Sequence, residues 1–425
     1  MNRTITDVAC TVCGCVCDDL TIHVENDRIV RAERACHLAE PWFLSQNQSP
    51  APPVLIEGRP ADRETAMARA VELLRASRYP LIYGLSRSTT EGQRAAVALA
   101  EYLGATIDTT AATGHAPSLM ALQEVGESTC SLGEVKNRSD LVIFWGCDPA
   151  VTHPRHTRRY APDPVGMFVP EGRAGRYVVY AGSTPTETPP DADCILRIQP
   201  GMDFDAFQTL RCLVRGIPPS PESPTGADPA ILADLAARMK ACRNGILFFG
   251  SSPSNVPAGH RTIEAMLRLV TELNDHTRFY ARRMRRFGDV AGADSVLTWQ
   301  TGYPFGVNFA RRYPRYNPGE FSAPKMLERG QPDLMLFIGS ETAAEFSPAA
   351  LDHLRTIPII ALEMPSTRSR IPPTIRFTTA VYGVHRRGTA YRMDEIPIPL
   401  EVLLPGDYPS DGEILEEMLH RSKAT

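Results

Sequence analysis

Cysteines crowd the first 36 residues of this 425-residue chain, and their spacing constrains how the N-terminus can fold. The spacing C-x2-C-x3-C-x18-C is formed by Cys10, Cys13, Cys17 and Cys36. Two thiolates in one tight turn, a third just beyond and a fourth returning from a hairpin can hold a cubane cluster, so we predict a [4Fe–4S] cluster there. Zinc, which favours two paired C-x2-C knuckles, and a metal-free structural remnant are the alternatives. Cys15 falls on the other face of a short extended segment, so we expect it to point away from the four.

The overall composition excludes several classes of function. Apolar residues make up 43% and charged residues 22% of the chain, which is ordinary for a globular protein. A net charge of −4 gives no reason to expect nucleic acid or an anionic membrane as a partner. No segment offers the roughly 18 uninterrupted apolar residues of a membrane span, and residues 1–7 lack the apolar core of a secretory signal. Bunched cysteines then favour metal ligation in a reducing cytosol, so we predict a cytoplasmic protein.

The remaining pattern predicts an α/β fold. A hairpin is expected around residues 25–27, and from residue 61 short apolar strands alternate with amphipathic helices, which predicts Rossmann-like parallel sheets covered on both faces. The expected strands lie at residues 80–84, 105–108, 140–146, 176–181, 244–250, 332–339 and 357–362. We assign residues 1–50 to the cysteine segment, 51–115 with 320–395 to a first domain, 116–319 to a second, and 396–425 to a C-terminal tail. Five scattered cysteines are expected to be buried, inert thiols: Cys130, Cys147, Cys194, Cys212 and Cys242.

Three loops resemble those of the molybdopterin-dependent oxidoreductase superfamily. Phe144-Trp-Gly-Cys-Asp-Pro149 is similar to its pterin-nucleotide loop, residues 199–207 to its "PGxDxAL" turn, and residues 388–392 to its late "GTxxNxxGR" loop. The arginine-rich segment at residues 153–159 follows a strand end, where guanidinium groups could hold phosphates. The resemblance implies pterin contacts, retained or ancestral, at Gly146, Asp148, Arg155, His156, Gly201, Asp203, Gly388 and Thr389.

Within that superfamily the chain resembles the B subunit of formylmethanofuran dehydrogenase over nearly its whole length. Two family-specific segments carry the resemblance: Thr298-Trp-Gln-Thr-Gly-Tyr-Pro-Phe-Gly306 and Pro314-Arg-Tyr-Asn-Pro-Gly-Glu320. The resemblance implies partner subunits and a place in a tetrahydromethanopterin- and methanofuran-linked one-carbon pathway.

One position departs from the family. The redox enzymes place a Cys that ligates tungsten or molybdenum before the His of a "CHGPS" segment, and here that position is Gly114, followed by His115. Glycine has no donor atom, such metals draw a soft thiolate from proteins, and no Cys or Met occurs in residues 109–118. The resemblance therefore places the chain with bacterial relatives in a formyltransferase/hydrolase complex. His115 is then a vestigial catalytic candidate or an ordinary loop histidine.

Two hypotheses for the function follow. The first is a non-redox scaffold subunit in which the molybdopterin guanine dinucleotide with tungsten or molybdenum is absent. The second is an active tungsten or molybdenum pterin oxidoreductase without a protein thiolate, which the intact cysteine quartet favours. The segments around Trp299 and Tyr316 argue against a third, formate dehydrogenase-like, enzyme.

Two arginine-rich segments remain without a settled role. Arg311 and Arg312 could line the former active site or pair with acidic neighbours. Residues 282–286 are interpreted as a solvated helix face, with docking of a partner or an anionic cofactor as the alternative.

Overall fold

A computed structural model describes residues 2–47, 51–183 and 192–424. The predicted boundary at residue 50 lies outside these ranges. The chain divides into two compact units: unit 1 comprises Met1–Gly114 and Arg286–Thr425, and unit 2 comprises His115–Arg285.

The N-terminal part of unit 1 is a small antiparallel sheet followed by a short helix. Its elements are β1 (Arg3–Val8), β2 (Leu20–Glu25), β3 (Arg28–Glu33) and α1 (Ala39–Ser45). Asn26 and Asp27 join β2 to β3 with φ of 49° and 57°, and these positive values suit the twist of a two-residue hairpin. The predicted hairpin is confirmed, and it returns the chain from Cys17 toward Cys36.

Unit 1 continues with alternating strands and helices. They are β4 (Val54–Ile56), β5 (Arg59–Pro60), α2 (Arg63–Ala76), β6 (Pro80–Gly84), α3 (Thr90–Leu103), β7 (Thr106–Thr109) and α4 (Ala111–Gly114). Asp62 caps α2 by accepting the Thr65 N–H at 2.8 Å, and Thr89 caps α3 by accepting the Gly92 N–H at 3.4 Å. The helix α3 ends at Gly104, whose φ of 69° ends the helix in the left-handed conformation.

Unit 2 is built around one parallel sheet. Its elements are α5 (Ala116–Val125), α6 (Leu132–Arg138), β8 (Leu141–Trp145), α7 (Pro149–Thr152), α8 (His156–Arg159), β9 (Tyr177–Gly182), β10 (Cys194–Arg197), α9 (Asp203–Val214), α10 (Pro229–Ala241), β11 (Asn244–Phe249), α11 (Gly259–Leu273) and β12 (Arg278–Arg283). In the described part of the unit, five strands run parallel in the order β10-β9-β8-β11-β12. The residues of β8 and β11 are all buried, as expected for central strands covered on both faces.

The chain then returns to unit 1. The elements are α12 (Val290–Thr301), β13 (Val307–Asn308), β14 (Arg315–Tyr316), α13 (Pro318–Phe321), α14 (Ala323–Glu328), β15 (Leu334–Ile338), α15 (Pro348–Leu354), β16 (Ile359–Glu363), β17 (Ile375–Thr378), β18 (Gly388–Tyr391), β19 (Pro397–Leu400) and α16 (Asp411–Ala424). Nine described strands form one sheet in the order β14-β13-β7-β6-β15-β16-β17-β4-β5. Its central strands β7, β6, β15, β16 and β17 are parallel, and strands paired antiparallel extend both edges.

Two segments lie elsewhere than the sequence-based division placed them. Residues 290–316, which that division gave to the second domain, pack in unit 1 because β13 pairs with β7 and α12 packs on α3. The C-terminal tail is also part of unit 1, since β19 pairs with β18 and α16 packs on α3.

The predicted α/β class with parallel sheets is confirmed. Both large sheets bury apolar strands under helices, which removes the greater part of their apolar surface from water and stabilises each unit. Within the described ranges, no helix combines the length and the apolar character that crossing a bilayer requires.

Candidate functional site

The four cysteines of the predicted cluster lie together in unit 1. Cys10, Cys13 and Cys17 are buried in the loop between β1 and β2, and Cys36 is half-buried ahead of α1. Burial raises the pKa of Cys10 well above its usual range, and the nearby thiolates of Cys13, Cys17 and Cys36 raise it further. Burial and mutual repulsion disfavour the negatively charged thiolate forms of these cysteines. A bound iron centre, which is positively charged, would stabilise the thiolates instead.

Cys15 belongs to the same group of thiols. Its pKa is raised because its thiol hydrogen-bonds with Cys13 and Cys17, and burial adds to the effect. The expectation that Cys15 points away is wrong. The strict alternation of a strand fails here because Val16 has a φ of 33°.

Backbone hydrogen bonds close the cysteine loop on itself. The Cys10 N–H donates to the Cys17 carbonyl at 2.8 Å, and the Val16 N–H donates to the Cys13 carbonyl at 3.1 Å. The Gly14 carbonyl accepts the Met393 N–H at 2.9 Å, which ties the loop to the segment after β18. The thiols are therefore held on a fixed backbone.

Arg87 attaches this loop to the large sheet of unit 1. It follows β6, and its Nη1 donates to the carbonyls of Thr11 at 3.0 Å and Val12 at 3.4 Å. Its Nε lies 3.4 Å from the Glu341 carboxylate. The Tyr382 hydroxyl donates to the same Thr11 carbonyl at 3.4 Å. The cysteine loop thus sits at the carboxyl edge of the parallel strands, where ligands bind in such sheets.

The metal assignment itself stays a prediction. Among the described residues, no group of three or more His, Cys, Asp or Glu side chains is arranged to hold a metal ion. The thiols nevertheless fit an iron–sulfur cluster in number and donor type. Cys10, Cys13, Cys17 and Cys36 would hold it, and a bound cluster would supply one-electron transfer or a structural crosslink.

The five scattered cysteines are all half-buried rather than buried. Burial raises the pKa of Cys147, Cys194 and Cys242, the last to about 12, so these three stay protonated at neutral pH.

Glycines border the carboxyl edge of the sheet in unit 2. Gly146 follows β8 with a φ of 61°, and a Cβ there would lie 2.6 Å from the Pro253 ring. A Cβ at Gly250, which follows β11, would collide with the Gly146 carbonyl. Gly182 ends β9 beside them. Only residues without side chains let these strand ends approach so closely.

The acidic residues predicted at this edge make local contacts. Asp148 caps α7 by accepting the Ala150 N–H at 2.8 Å. Asp203, at the start of α9, accepts the Trp145 indole N–H at 2.7 Å, and burial raises its pKa. Gly201 has a φ of 78°, and a Cβ there would meet no atom within 4 Å. The structure therefore brings Gly146, Asp148, Gly201 and Asp203 to one edge of the sheet, with both carboxylates already engaged.

The two histidines after β8, His153 and His156, are buried rather than exposed to a ligand. His156 is fully buried with its ring edge-on to Phe248 at 4.6 Å, and burial lowers its pKa to about 3. A neutral imidazole offers no positive charge to a phosphate. His153 Nε2 lies 2.7 Å from the Arg285 carbonyl, and Arg155 is half-buried at the start of α8.

The basic run at residues 282–286 is not a solvated helix face, so that prediction is wrong. Its first two arginines end strand β12, and Arg282, Arg283 and Arg285 are buried. Arg283 pairs with Glu127 at 3.3 Å, and Arg282 donates to the Cys130 carbonyl. Burial of arginine requires such partners, which explains their position inside unit 2.

Gly114 is the last residue of α4 in unit 1. A Cβ there would meet no atom within 4 Å, so the position has room for a side chain that the sequence does not supply. His115 begins unit 2 and is 7% exposed, and its carbonyl accepts the Ser118 hydroxyl at 3.0 Å. The chain offers no thiolate at this position, so it does not fit a thiolate-ligated tungsten or molybdenum centre.

The remaining candidates lie in unit 1. Arg311 and Arg312 are exposed, and the Arg312 guanidinium donates to the Tyr102 carbonyl at 3.3 Å near the end of α3. Gly388 packs against Thr89, and the Thr389 carbonyl accepts the Thr90 hydroxyl at 3.3 Å. The Arg312 segment thus contacts the end of α3 and the Thr389 segment contacts its start.

Sequence reasoning missed Arg87 and Tyr382. Both contact the cysteine loop across more than 75 residues of chain, and no local pattern encodes such a contact. The available signal was the position of Arg87, three residues beyond the glycine that ends strand β6, where parallel sheets place their ligands.

Relatives that match the sequence along most of its length include the following two. The B subunit of tungsten-containing formylmethanofuran dehydrogenase 2 from Methanocaldococcus jannaschii is 37% identical over 432 residues, covering 100% of this chain and 99% of that protein. The B subunit of the formyltransferase/hydrolase complex Fhc from Methylorubrum extorquens is 28% identical over 316 residues, covering 72% of this chain and 79% of that protein. No protein-family model matches the chain.

Solved structures that share the fold include the following two. A chain of the formyltransferase/hydrolase complex FhcABCD from Methylorubrum extorquens, in complex with methylofuran, superposes with a TM-score of 0.72 at 23% identity, covering 87% of this chain and 99% of that chain. Acetylene hydratase from Pelobacter acetylenicus superposes with a TM-score of 0.68 at 11% identity, covering 98% of this chain and 69% of that chain.

Proposed function

The chain belongs to the family of formylmethanofuran dehydrogenase B subunits, and we propose that it is a non-redox scaffold within a formyltransferase/hydrolase-type complex. The pathway that we propose for it is a tetrahydromethanopterin- and methanofuran-linked one-carbon pathway in the cytoplasm. The chain keeps the fold that surrounds a pterin cofactor in redox relatives, and it uses that fold to hold other subunits.

Gly114 carries this proposal. It occupies the position that the family resemblance gives to the metal-ligating Cys, and it has no donor atom. Thr113, its neighbour, bonds Glu345 at 3.0 Å and supplies no soft ligand. Tungsten and molybdenum sites draw on thiolates, so loss of the thiolate removes the protein's direct hold on the metal.

The names of the similar proteins support assembly. The Methylorubrum relative is named as a subunit of a formyltransferase/hydrolase complex, and the structure with the same fold is of that complex. Trp299 on α12 is 58% exposed and rests edge-on against Tyr391. Tryptophan is enriched among the residues that carry most of the binding energy at the centres of protein interfaces.

In this proposal the cluster cysteines have a structural role. A [4Fe–4S] cluster held by Cys10, Cys13, Cys17 and Cys36 would crosslink the N-terminal hairpin to the loop before it. Arg87 would fix the loop to the sheet in either redox state.

An active pterin oxidoreductase without a protein thiolate is the second candidate. The retained cysteine quartet favours it, because electron transfer is the usual work of such a cluster. Identity of 37% to a tungsten-containing relative, against 28% to the Fhc relative, favours it as well.

Co-expression with the other subunits of a formyltransferase/hydrolase complex tests the proposal. The tagged chain should recover a complex that transfers and hydrolyses the formyl group but does not reduce viologen dyes. Trp299→Glu should lose the partners, whereas Tyr79→Glu, which changes another exposed aromatic residue of unit 1, should keep them. Recovery of the chain alone, or dye reduction by the wild-type complex, would contradict the proposal.

A further inference from the structure

A cavity of about 400 Å³ opens in unit 2 at the edge of the sheet opposite the glycines. It lies at the amino ends of two strands, since Asn244 begins β11 and Arg278 begins β12. Its walls carry Glu134, Arg138, Arg243, Arg278, Phe168, Tyr280 and Asn244, and we call it the Arg278 pocket. The pterin residues predicted in unit 2 follow strand ends at the other edge, so the Arg278 pocket is a separate site.

One exposed positive charge in the Arg278 pocket has no partner among the residues that the structure describes. Arg138 pairs with Glu134 at 3.1 Å, and Arg243 pairs with Asp140 at 3.1 Å. Arg278, within the described residues, makes neither an ion pair nor a hydrogen bond. Both nearby carboxylates are engaged, so an incoming carboxylate would find one unmatched guanidinium.

Neutral donors face the same space. Tyr280 lies two residues beyond Arg278 on β12 and therefore on the same face of the sheet. In the described part of the chain, its hydroxyl has no hydrogen-bond partner. The Asn244 side-chain oxygen Oδ1 accepts the Ser139 hydroxyl at 2.8 Å, which leaves the side-chain nitrogen Nδ2 to donate. Arg278, Tyr280 and Asn244 together form a set of donors suited to a carboxylate.

The loop that forms the outer wall is anchored. The Phe168 N–H donates to the Asn137 carbonyl at 2.8 Å, and the Arg138 guanidinium stacks 4.3 Å from the Phe168 ring. Buried Arg176 donates to the carbonyls of Pro162 at 2.8 Å and Lys136 at 2.7 Å, which fixes the loop to α6. These contacts within the chain hold the outer wall in place without a ligand.

The same loop exposes apolar side chains. Met167 is 76% exposed and Val165 is 63% exposed, next to Phe168. Methionine, tyrosine, phenylalanine and arginine are enriched in protein interfaces. A small free anion is too short to contact this apolar rim. A peptide bound in the pocket can contact the rim with its neighbouring side chains.

We propose that the Arg278 pocket docks an acidic segment of a partner polypeptide. An Asp or Glu carboxylate of that segment binds Arg278 and Tyr280, and an adjacent apolar residue covers Met167. Charge complementarity selects the segment, and the apolar rim selects a polypeptide over a free carboxylate. The proposed function enters only in suggesting that the partner is another member of the complex.

Binding of two fluorescent peptides to the purified full chain tests this proposal. The first is acetyl-Phe-Asp-Leu-Glu-Phe-Asp-amide, and the second replaces each acid by its amide. The acidic peptide should bind, with an affinity that falls as salt rises, and the amide peptide should bind about tenfold more weakly or not at all. Arg278→Glu should weaken the acidic peptide by about tenfold or more, and Tyr280→Phe by a few-fold.

A matched control and a rim variant complete the experiment. Arg197→Glu makes the same charge change at an exposed arginine on β10, the opposite edge strand, and should leave binding within about twofold. Benzoate serves as a free carboxylate without a peptide backbone. Met167→Ser should weaken binding of the acidic peptide but not binding of benzoate. Equal binding of both peptides, or no effect of Arg278→Glu, would overturn the proposal. Benzoate binding as tightly as the peptide would make the pocket a small-anion site and overturn it too. Peptide binding does not depend on assembly, so failure of the complex to form would count only against the proposed function.

Discussion

Substitution of Gly114 by Cys separates loss of one ligand from loss of the whole metal pocket. A Cβ at Gly114 meets no atom within 4 Å, and its backbone lies outside the left-handed region, so the new side chain costs no steric strain. Replacing a helical glycine stabilises a fold by about 0.5–1 kcal/mol through the entropy of the unfolded chain. We therefore expect Gly114→Cys to raise the melting temperature by roughly 1–4 °C.

We expect the restored thiol not to restore redox activity. A metal centre needs oriented residues around its ligands, and a site freed from its cofactor does not keep them. Thermal melting, tungsten and molybdenum content after growth with each metal, and viologen reduction would be measured on the wild type, Gly114→Cys and the matched control Gly114→Ala. Metal uptake and dye reduction by the Cys variant alone would refute this reasoning. A fall in the melting temperature of both variants would contradict the conclusion that a side chain fits at this position.

Three further predictions concern the cluster and the two units. Cys17→Ser should abolish the visible absorbance of iron-reconstituted protein whereas Cys15→Ser should keep it, and equal losses would place Cys15 among the ligands. Burial raises the pKa of Asp108 to about 7, so the folded state keeps a proton that the unfolded state loses near pH 4. The stability of the fold should therefore fall as the pH rises from about 4 to 7. Thermal melts of Asp108→Asn across this pH range should show a smaller fall. Arg176→Lys cannot reproduce the guanidinium fork that binds backbone carbonyls at 2.6–3.0 Å, so urea titration should show a loss of about 2–3 kcal/mol, and an unchanged midpoint would contradict this.

Local sequence patterns predicted the individual elements well. The strand β6 has the predicted bounds, Pro80–Gly84, because its apolar run is encoded within the segment itself. The assignment of residues 290–316 required pairing of β13 with β7 across about two hundred residues, which no local period reports. The arginines at the end of β12 resembled a solvated face in composition, and only tertiary packing reveals their burial.

The candidate site was predictable where a rule links a residue to a strand end. Gly146 and Asp148 follow β8, and the carboxyl edge of a parallel sheet is where the rule expects ligands. Cys15 was misplaced because the alternation of a strand was applied to a loop in which Val16 breaks it. The burial of His156 among aromatic rings could not be foreseen, since His156 lies on α8 and its partner Phe248 lies on β11, about ninety residues along the chain.

Metal and pterin analysis of the wild-type complex, purified without oxygen, tests the loss of redox chemistry most directly. If Gly114 marks an abandoned metal centre, the complex contains iron held by the four N-terminal cysteines but neither tungsten, molybdenum nor pterin above background. Tungsten or molybdenum in a one-to-one ratio with this chain, together with the pterin, would contradict the non-redox scaffold and establish an enzyme whose metal is held without a protein thiolate.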